Sequence, residues 1–384
     1  KNSSKRISLF KVMKVLHFSP IFPPEIGGPA TQCFHLCRAL LARGVLPVVV
    51  TYGKIFSRTS PNGYPVYTFR RSYGLGALDR LIRWIVFGPF IVYVFIRERP
   101  DVLHCHSANM RSFFAALLAK AWGMPRVLKF AGDWVWESLS SKQMQGEDFE
   151  QVYRASFLAR VLTRIERAGL TLFNVIWAPS TFRRANIEYL IGTRVPTVII
   201  PNCLILDDIG PVPSRRADEI IIVSANRFIP HKRVPWLVEV YAAVRTPQTR
   251  LVLIGGGDGA QMVLVKEKIH ALGLTGEATL TGILSSPQVY ELFKKASLYV
   301  SGSLEEGFPN VFVEAMHCGL PIVATNVGGS HVPMVEGKTG FLVDPHDRAQ
   351  FEQAVRRLIA DRSLRERMSA AARERAKTFD LRER

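Results

Sequence analysis

Apolar positions along the chain fall into two kinds of run. Short runs bounded by Gly, Pro or polar residues read as buried strands, and longer stretches with apolar residues three and four apart read as helices. Lys14–Ser19 is a first strand, and it runs into the Pro/Gly-rich loop 20–29. A helix is expected over Ala30–Ala42 and a second strand over Val45–Thr51. The alternation continues with a strand at Val66–Arg70, a helix over 78–97, a strand at Asp101–His106 and a helix over 109–122. A strand at 126–134 then runs into a polar loop. A helical region at 149–172 precedes strand ends at Val175–Ser180 and Val198–Asn202.

Residues 203–218 have no periodicity and hold Gly210, Pro211, Pro213 and Arg215-Arg216, so they read as a linker. A second alternating series follows. Its strands are expected at Ile220–Ala225, Arg250–Ile254, Ala278–Gly282, Leu298–Val300, Pro321–Ala324 and Gly340–Val343, with helices between and a helical tail from Asp347. Each half opens strand, loop, helix, strand, so the expected fold class is α/β, with two Rossmann-like domains facing each other across a cleft. The expected boundaries are 1–202, a linker at 203–218, and a second domain at 219–365 followed by a last helix over 366–384.

One apolar segment, Leu81–Ile96, is 16 residues long, carries Arg83 and is interrupted by Gly88-Pro89. A spanning helix needs about 20 apolar residues, so a transmembrane reading is rejected. A buried helix and a helix dipped into a membrane interface both fit, the latter with Arg80, Arg83, Arg97 and Arg99 at its rims. Lys1–Lys14 is basic without an uninterrupted apolar run, so no signal peptide is expected there.

Composition adds one asymmetry. The formal net charge is +18, but residues 1–202 carry 27 Lys/Arg against 11 Asp/Glu, and residues 203–384 carry 23 against 21. A one-sided basic surface points to nucleic acid, an anionic membrane or an acidic substrate. No nucleic-acid module or aromatic–basic interleaving is present, so nucleic acid is not expected. Five scattered cysteines give neither zinc-finger spacing nor a disulfide framework, and they suit a reducing compartment. Cys33 and Cys37 read as core packing.

The candidate chemistry lies mainly in the second half. Ser303–Pro321 holds two carboxylates, Glu306 and Glu314, around a Gly307-Phe308-Pro309 turn. Pro309 and Gly319 bracket a short helix that carries Glu314, with Asn310 one turn earlier on the same face. A loop carboxylate beside a helix N-terminus suits a phosphate with hydroxyl groups around it; a surface loop with two glutamates fits the same residues. Arg227 and Lys232 lie five apart in a strand-to-helix loop, where two cations converge on one anion or stay solvated. Gly255–Gly257 permits close backbone approach or marks a plain turn. Gly27-Gly28 lacks the full dinucleotide fingerprint.

In order along the chain, Gly27-Gly28, Arg227 with Lys232, Gly255–Gly257, Glu306 with Glu314, and Ala324-Thr-Asn-Val-Gly-Gly329 resemble the retaining GT-B glycosyltransferases of family 4. The match runs from about residue 14 to 345. The resemblance implies that Arg227 and Lys232 grip a donor diphosphate, that Glu314 binds ribose hydroxyls, and that Glu306 holds the donor sugar. The backbone of Gly307, Phe308, Pro309, Asn310 and Val311 would assist Glu306, and Gly282, Ile283 and Leu284 would meet the base. His106 resembles the family histidine near the reacting side of the sugar, and Gly28 the glycine that lets the first loop approach the phosphates. Asp133 and Trp134 fall where the family has acceptor or sugar contacts. Cys203 stands where the family often has Gly, and Val332 where it often has Glu.

The resemblance further implies a last helix that crosses back to the first domain, and metal-independent chemistry without a cofactor. The expected activity is sugar transfer from a UDP- or GDP-sugar to a lipid-linked or membrane-surface glycan precursor, in polysaccharide or glycolipid synthesis. A transferase with a small soluble acceptor and a non-catalytic nucleotide-sugar-binding protein are the alternatives. The expected location is the cytoplasm, peripheral on an anionic membrane face.

Overall fold

A computed structural model describes residues 11–25, 27–72, 74, 79–135, 153, 156–212 and 219–383. Parts of three stretches read from the sequence fall outside them: the basic start, the beginning of the 149–172 helix and the end of the linker.

The first sheet has eight strands. They are β1 (Lys14–Phe18), β2 (Leu46–Gly53), β3 (Ser57–Thr59), β4 (Val66–Arg70), β5 (Val102–Cys105), β6 (Arg126–Lys129), β7 (Val175–Ala178) and β8 (Thr197–Ile199), in the order β3-β4-β2-β1-β5-β6-β7-β8. β1 pairs in parallel with β2, Lys14 opposite Leu46, and with β5, Val15 opposite Val102. Only β3 is antiparallel, a short edge strand against β4 that the apolar pattern does not mark. Helices α1 (Gly28–Ala42), α2 (Asp79–Glu98), α3 (Met110–Ala121), α4 (Phe157–Leu170) and α5 (Thr181–Ile191) connect the strands.

The second sheet is wholly parallel. Its strands are β9 (Ile220–Ala225), β10 (Thr249–Ile254), β11 (Ala278–Gly282), β12 (Leu298–Ser301), β13 (Ile322–Thr325) and β14 (Gly340–Val343), in the order β11-β10-β9-β12-β13-β14. Its helices are α6 (Val234–Val244), α7 (Gly259–Ala271), α8 (Ser286–Lys295), α9 (Asn310–His317), α10 (Arg348–Ala360) and α11 (Arg362–Lys377). Strand residues alternate between two cores, as a two-faced sheet requires. Ile220, Ile222, Leu251, Leu253, Leu298 and Val300 pack in one core. Val223, Ile254 and Tyr299 pack in the other, with Phe312, Val313 and Met316 of α9.

The helical tail is two helices. The Asp361 carboxylate accepts from the Leu364 backbone N–H, and this cap starts α11 directly after α10. α11 packs against α9. The residues after it return to the segment that follows the first half: Leu204 N–H donates to the Phe379 carbonyl and Leu381 N–H to the Leu204 carbonyl.

By contacts the chain forms two compact units. The first holds Lys1–Phe130, Glu166–Trp177 and Arg194–Pro196, and the second holds Ala131–Ile165, Ala178–Thr193 and Thr197–Arg384. Among the described residues, no helix is long and apolar enough to cross a membrane. α2 buries Phe87, Ile91, Val94 and Phe95, and leaves Ile85, Tyr93 and Ile96 exposed. All five cysteines are free and buried, with Cys33 and Cys37 packed against Phe22, Val49 and Tyr64.

Candidate active site

In an open parallel sheet, loops leaving adjacent strands in opposite directions open a crevice at the carboxyl ends. In the second sheet this switch lies between β9 and β12. The β9 loop carries Arg227 and Lys232, and the β12 loop carries Glu306. The Leu304 backbone N–H donates to the His231 carbonyl at 2.8 Å and so ties the two loops together. Lys232 Nζ then lies 2.6 Å from Glu306 Oε1, with the two side chains 13% and 11% exposed. Arg227 is exposed and has no ion pair or hydrogen bond among the described residues. A sheltered ammonium paired to one carboxylate, with a free guanidinium five residues away, suits an incoming dianion.

Arg233 fixes the turn between them. Its backbone is left-handed, with φ 47° and ψ 40°. Its guanidinium donates to the Gly302 and Pro345 carbonyls, at 2.7 and 2.9 Å, and stacks 4.3 Å from the Trp236 ring. Burial among these groups pushes His231 down to about 4, and the neighbouring Lys232 adds to the effect while Glu306 opposes it.

Glycines set the walls. A Cβ on Gly328, where φ is +50°, would collide with the Glu306 carbonyl, and one on Gly329 would collide with the Gly307 carbonyl. The Gly329 N–H donates to the Glu306 carbonyl at 2.6 Å. The Gly328-Gly329 turn thus seats the backbone that carries Glu306. In the next loop, Gly255 has φ +132°, and a Cβ there would collide with the Asn226 carbonyl. Gly255 N–H donates to the Gly282 carbonyl at 2.9 Å, which brings Gly282, exposed Ile283 and half-buried Leu284 beside the triglycine loop.

α9 begins at Asn310 with Pro309 as its N-cap, so no capping side chain takes up the first N–H groups. Asn310 Oδ1 accepts from Asn202 Nδ2 at 2.8 Å, while Phe308 is buried and Val311 half-buried. Glu314 is half-buried near Tyr290 and Tyr299. Desolvation alone raises its carboxyl to about 7. The folded state therefore holds a proton that the unfolded chain gives up between pH 4.5 and 7, so this group costs stability as pH rises through that window.

In the first sheet the switch lies between β1 and β5, and His106 directly follows β5. His106 is buried, and its Nε2 lies 3.0 Å from His17 Nδ1. His104 stacks on Trp177, and Lys129 Nζ lies 4.5 Å from the centre of that same ring. Burial holds His17 down at about 3, and it lowers His104 and His106 well below the usual range, with Lys129 adding to both. All three imidazoles are neutral at pH 7. His17 with Cys33 and Cys37, and His17 with His104 and His106, are the described groups whose donor atoms lie within 4.8 Å of one another. Lys129 bears against a cation at the histidine group. Gly27 precedes α1 and Gly28 opens it; a Cβ on Gly27 would stand 2.8 Å from Ile21.

Asp133 is fully buried and accepts from the Tyr153 hydroxyl, and Trp134 beside it is half-buried. Sequence reasoning missed the buried Arg183, which pairs with Glu305 next to the site glutamate. It also missed Arg233. Both act across long sequence distances, and only their charge at a loop edge marked them.

Both halves of the chain match families of known proteins. A family model described as "Glycosyl transferases group 1" matches residues 208–375, and one described as "Glycosyl transferase 4-like domain" matches residues 27–203. A human protein of the phosphatidylinositol N-acetylglucosaminyltransferase complex, its catalogued A chain, is 27% identical over 319 residues, covering 81% of this chain and 61% of that protein. The chain thus spans about three fifths of that relative's length. Among solved structures, sucrose-phosphate synthase from Thermosynechococcus elongatus has a TM-score of 0.74 at 19% identity, covering 96% of this chain and 94% of that one. Anabaena Alr3699/HepE in complex with UDP has a TM-score of 0.73 at 20% identity, covering 97% of both chains. At these identities the likeness is one of fold.

Proposed function

We propose a sugar transferase from one premise: the chain belongs to the glycosyl transferases of group 1, with a glycosyl transferase 4-like domain as its first half. The reaction is transfer of a sugar from a nucleoside-diphosphate sugar to a hydroxyl of a lipid-linked or polyol acceptor. The observation that carries this reading is the Lys232–Glu306 pair at the β9/β12 switch, with Arg227 unpaired in the same loop.

Lys232 and Arg227 neutralise the charge that grows on the diphosphate as the glycosidic C–O bond breaks. The open N-terminus of α9 adds its dipole and free N–H groups. Glu306, held by the Gly328-Gly329 turn, orients the sugar. Glu314 takes the ribose hydroxyls. The acceptor hydroxyl attacks the anomeric carbon from the face that the diphosphate leaves, and the departing phosphate oxygen takes its proton. Configuration is thereby retained, and the stabilising charge comes from side chains and the helix terminus. His106 is neutral, so it serves by hydrogen bonding.

The test is thermal unfolding against UDP, GDP and their sugars. One nucleotide at about a hundred times its Kd is expected to stabilise the fold by about 2.7 kcal/mol. No shift with any of them overturns the reading.

We place the enzyme on an anionic membrane face. Support comes from the basic first half and from the exposed Ile85, Tyr93 and Ile96 of α2, with Arg97 and Arg99 at its end. Each cation near such a surface contributes roughly 1 kcal/mol. The protein is expected to float with phosphatidylserine vesicles and not with phosphatidylcholine vesicles at low salt. Equal recovery with both would remove the electrostatic argument. The human relative's name, which couples phosphatidylinositol to an N-acetylglucosaminyltransferase, agrees with a lipid acceptor.

A further inference from the structure

We infer that Arg111, set on Tyr52 in the first unit, is the grip for a phosphate group, and that the sugar acceptor carries that phosphate. The second clause rests on the transferase reading above; the first does not.

Both residues lie at the carboxyl edge of the first sheet, where a ligand is expected. Tyr52 ends β2, and Arg111 is the second residue of α3 after β5. Asn109 Oδ1 accepts from the backbone N–H groups of Arg111 and Ser112, each at 3.0 Å, so the helix terminus is already capped. Any anion here must be met by side chains.

The Arg111 guanidinium is held rigidly. Its Nη1 donates to Tyr52 Oη at 2.9 Å. Its central carbon lies 5.1 Å from the Tyr52 ring, 5.4 Å from Trp84, 5.7 Å from Phe87 and 5.9 Å from Phe69. Aromatic rings stabilise the cation and fix its plane, but they take none of its N–H donors. Buried Nε has no partner.

Charge makes the site directional. Arg71 and Arg83 also bear on the Tyr52 hydroxyl, and Arg83 Nη1 donates to the Arg71 carbonyl at 3.0 Å. Each already has a carboxylate, Glu25 at 2.7 Å from Arg71 and Asp79 at 2.8 Å from Arg83. Arg111 has none among the described residues. Three guanidinium groups thus face two carboxylates, and the excess charge sits on the group whose orientation is fixed. A planar fork with free N–H edges matches the two oxygens of a phosphate better than a point charge does. A metal ion or an ammonium group would be repelled.

Phosphate of this kind comes from a lipid headgroup or from a soluble phosphomonoester, and the experiment separates the two. Binding to the full chain is measured without nucleotide-sugar, for sn-glycerol 3-phosphate, glycerol, and vesicles of phosphatidylcholine with and without phosphatidic acid. Wild type is expected to bind a phosphate probe and not glycerol. Arg111→Gln weakens that binding roughly 10- to 100-fold. Arg111→Lys, which keeps the charge and loses the fork, falls between. Tyr52→Phe, a near-isosteric change, weakens it several-fold, so the inference does not hang on how Arg111→Gln folds. Binding of vesicles alone assigns a lipid headgroup, and binding of glycerol phosphate assigns a soluble group. Either supports the site if Arg111→Gln loses it. Wild type that binds neither, or Arg111→Gln and Tyr52→Phe that bind as wild type does, overturns it. Failure of the transferase reading appears elsewhere, as nucleotide-sugars that do not stabilise a protein that still binds phosphate.

Discussion

Lys232→Met lowers kcat/KM for sugar transfer by roughly a thousandfold, and Glu306→Gln lowers it by roughly a hundred- to a thousandfold. The two effects have different origins. In the free protein Lys232 Nζ rests 2.6 Å from Glu306 Oε1, so each charge compensates the other. A diphosphate brings its own negative charge and draws on the same ammonium. Without Lys232, Glu306 is an unpaired carboxylate beside an anion, so donor binding and the departure step both suffer. Glu306→Gln keeps the cation and loses the acceptor that orients the sugar hydroxyls, so kcat falls more than donor affinity. The pair is coupled, and the double variant is less impaired than the product of the singles. Removing one partner of a buried pair by truncation costs about 3–5 kcal/mol of stability, and for that reason Met and Gln, which retain bulk, are the informative changes. Nucleoside diphosphate release and thermal midpoints measure both sides. Near-wild-type turnover in either folded single variant removes these residues from the mechanism.

The assignment of Lys232 and Glu306 began with residue types and spacing, and the topology supplies its reason. Strand periodicity was strong because both faces of the second sheet are covered. Ile220 and Ile222 serve one core and Val223 the other, which produces a continuous apolar run that marks β9 without ambiguity. Loops at the ends of such runs are then legible as ligand loops. β3 was not legible, since a three-residue antiparallel edge carries no period. The two tail helices read as one stretch because Asp361 is an ordinary surface residue until its cap is seen. Pairings across the chain were hidden for another reason. Asn202 with Asn310, Arg183 with Glu305, and His17 with His106 each depend on the relative placement of distant loops or strands. Gly328 and Gly329 were visible as a motif, but their role appears only when a Cβ at either position meets the Glu306–Gly307 backbone.

The protein loses stability steeply as pH falls from about 6.5 to 4.5, and the first unit opens before the second. The cause is histidine burial. His17 is held at about 3 and His231 at about 4, and His104 and His106 lie well below their usual range of 6.5. The unfolded chain takes up these protons below pH 6.5 and the folded chain does not, so stability rises with pH up to 6.5 and is lost on acidification. At pH 5 each such group costs up to about 2 kcal/mol, since one unit of displacement is about 1.4 kcal/mol. Protonation of Glu314, held at about 7, works the other way over the same window and offsets roughly one histidine. Three of the four histidines belong to the first unit and Glu314 to the second, so the imbalance falls on the first. The net loss expected by pH 5 is about 4 kcal/mol, a large share of a typical folding free energy. Urea unfolding at pH 7, 6 and 5 measures it, and amide exchange locates the opening. His104→Phe, which keeps a ring to stack on Trp177, should lower the proton uptake of unfolding by about one over this range. Stability that is level between pH 7 and 5 would show that these imidazoles are not held neutral.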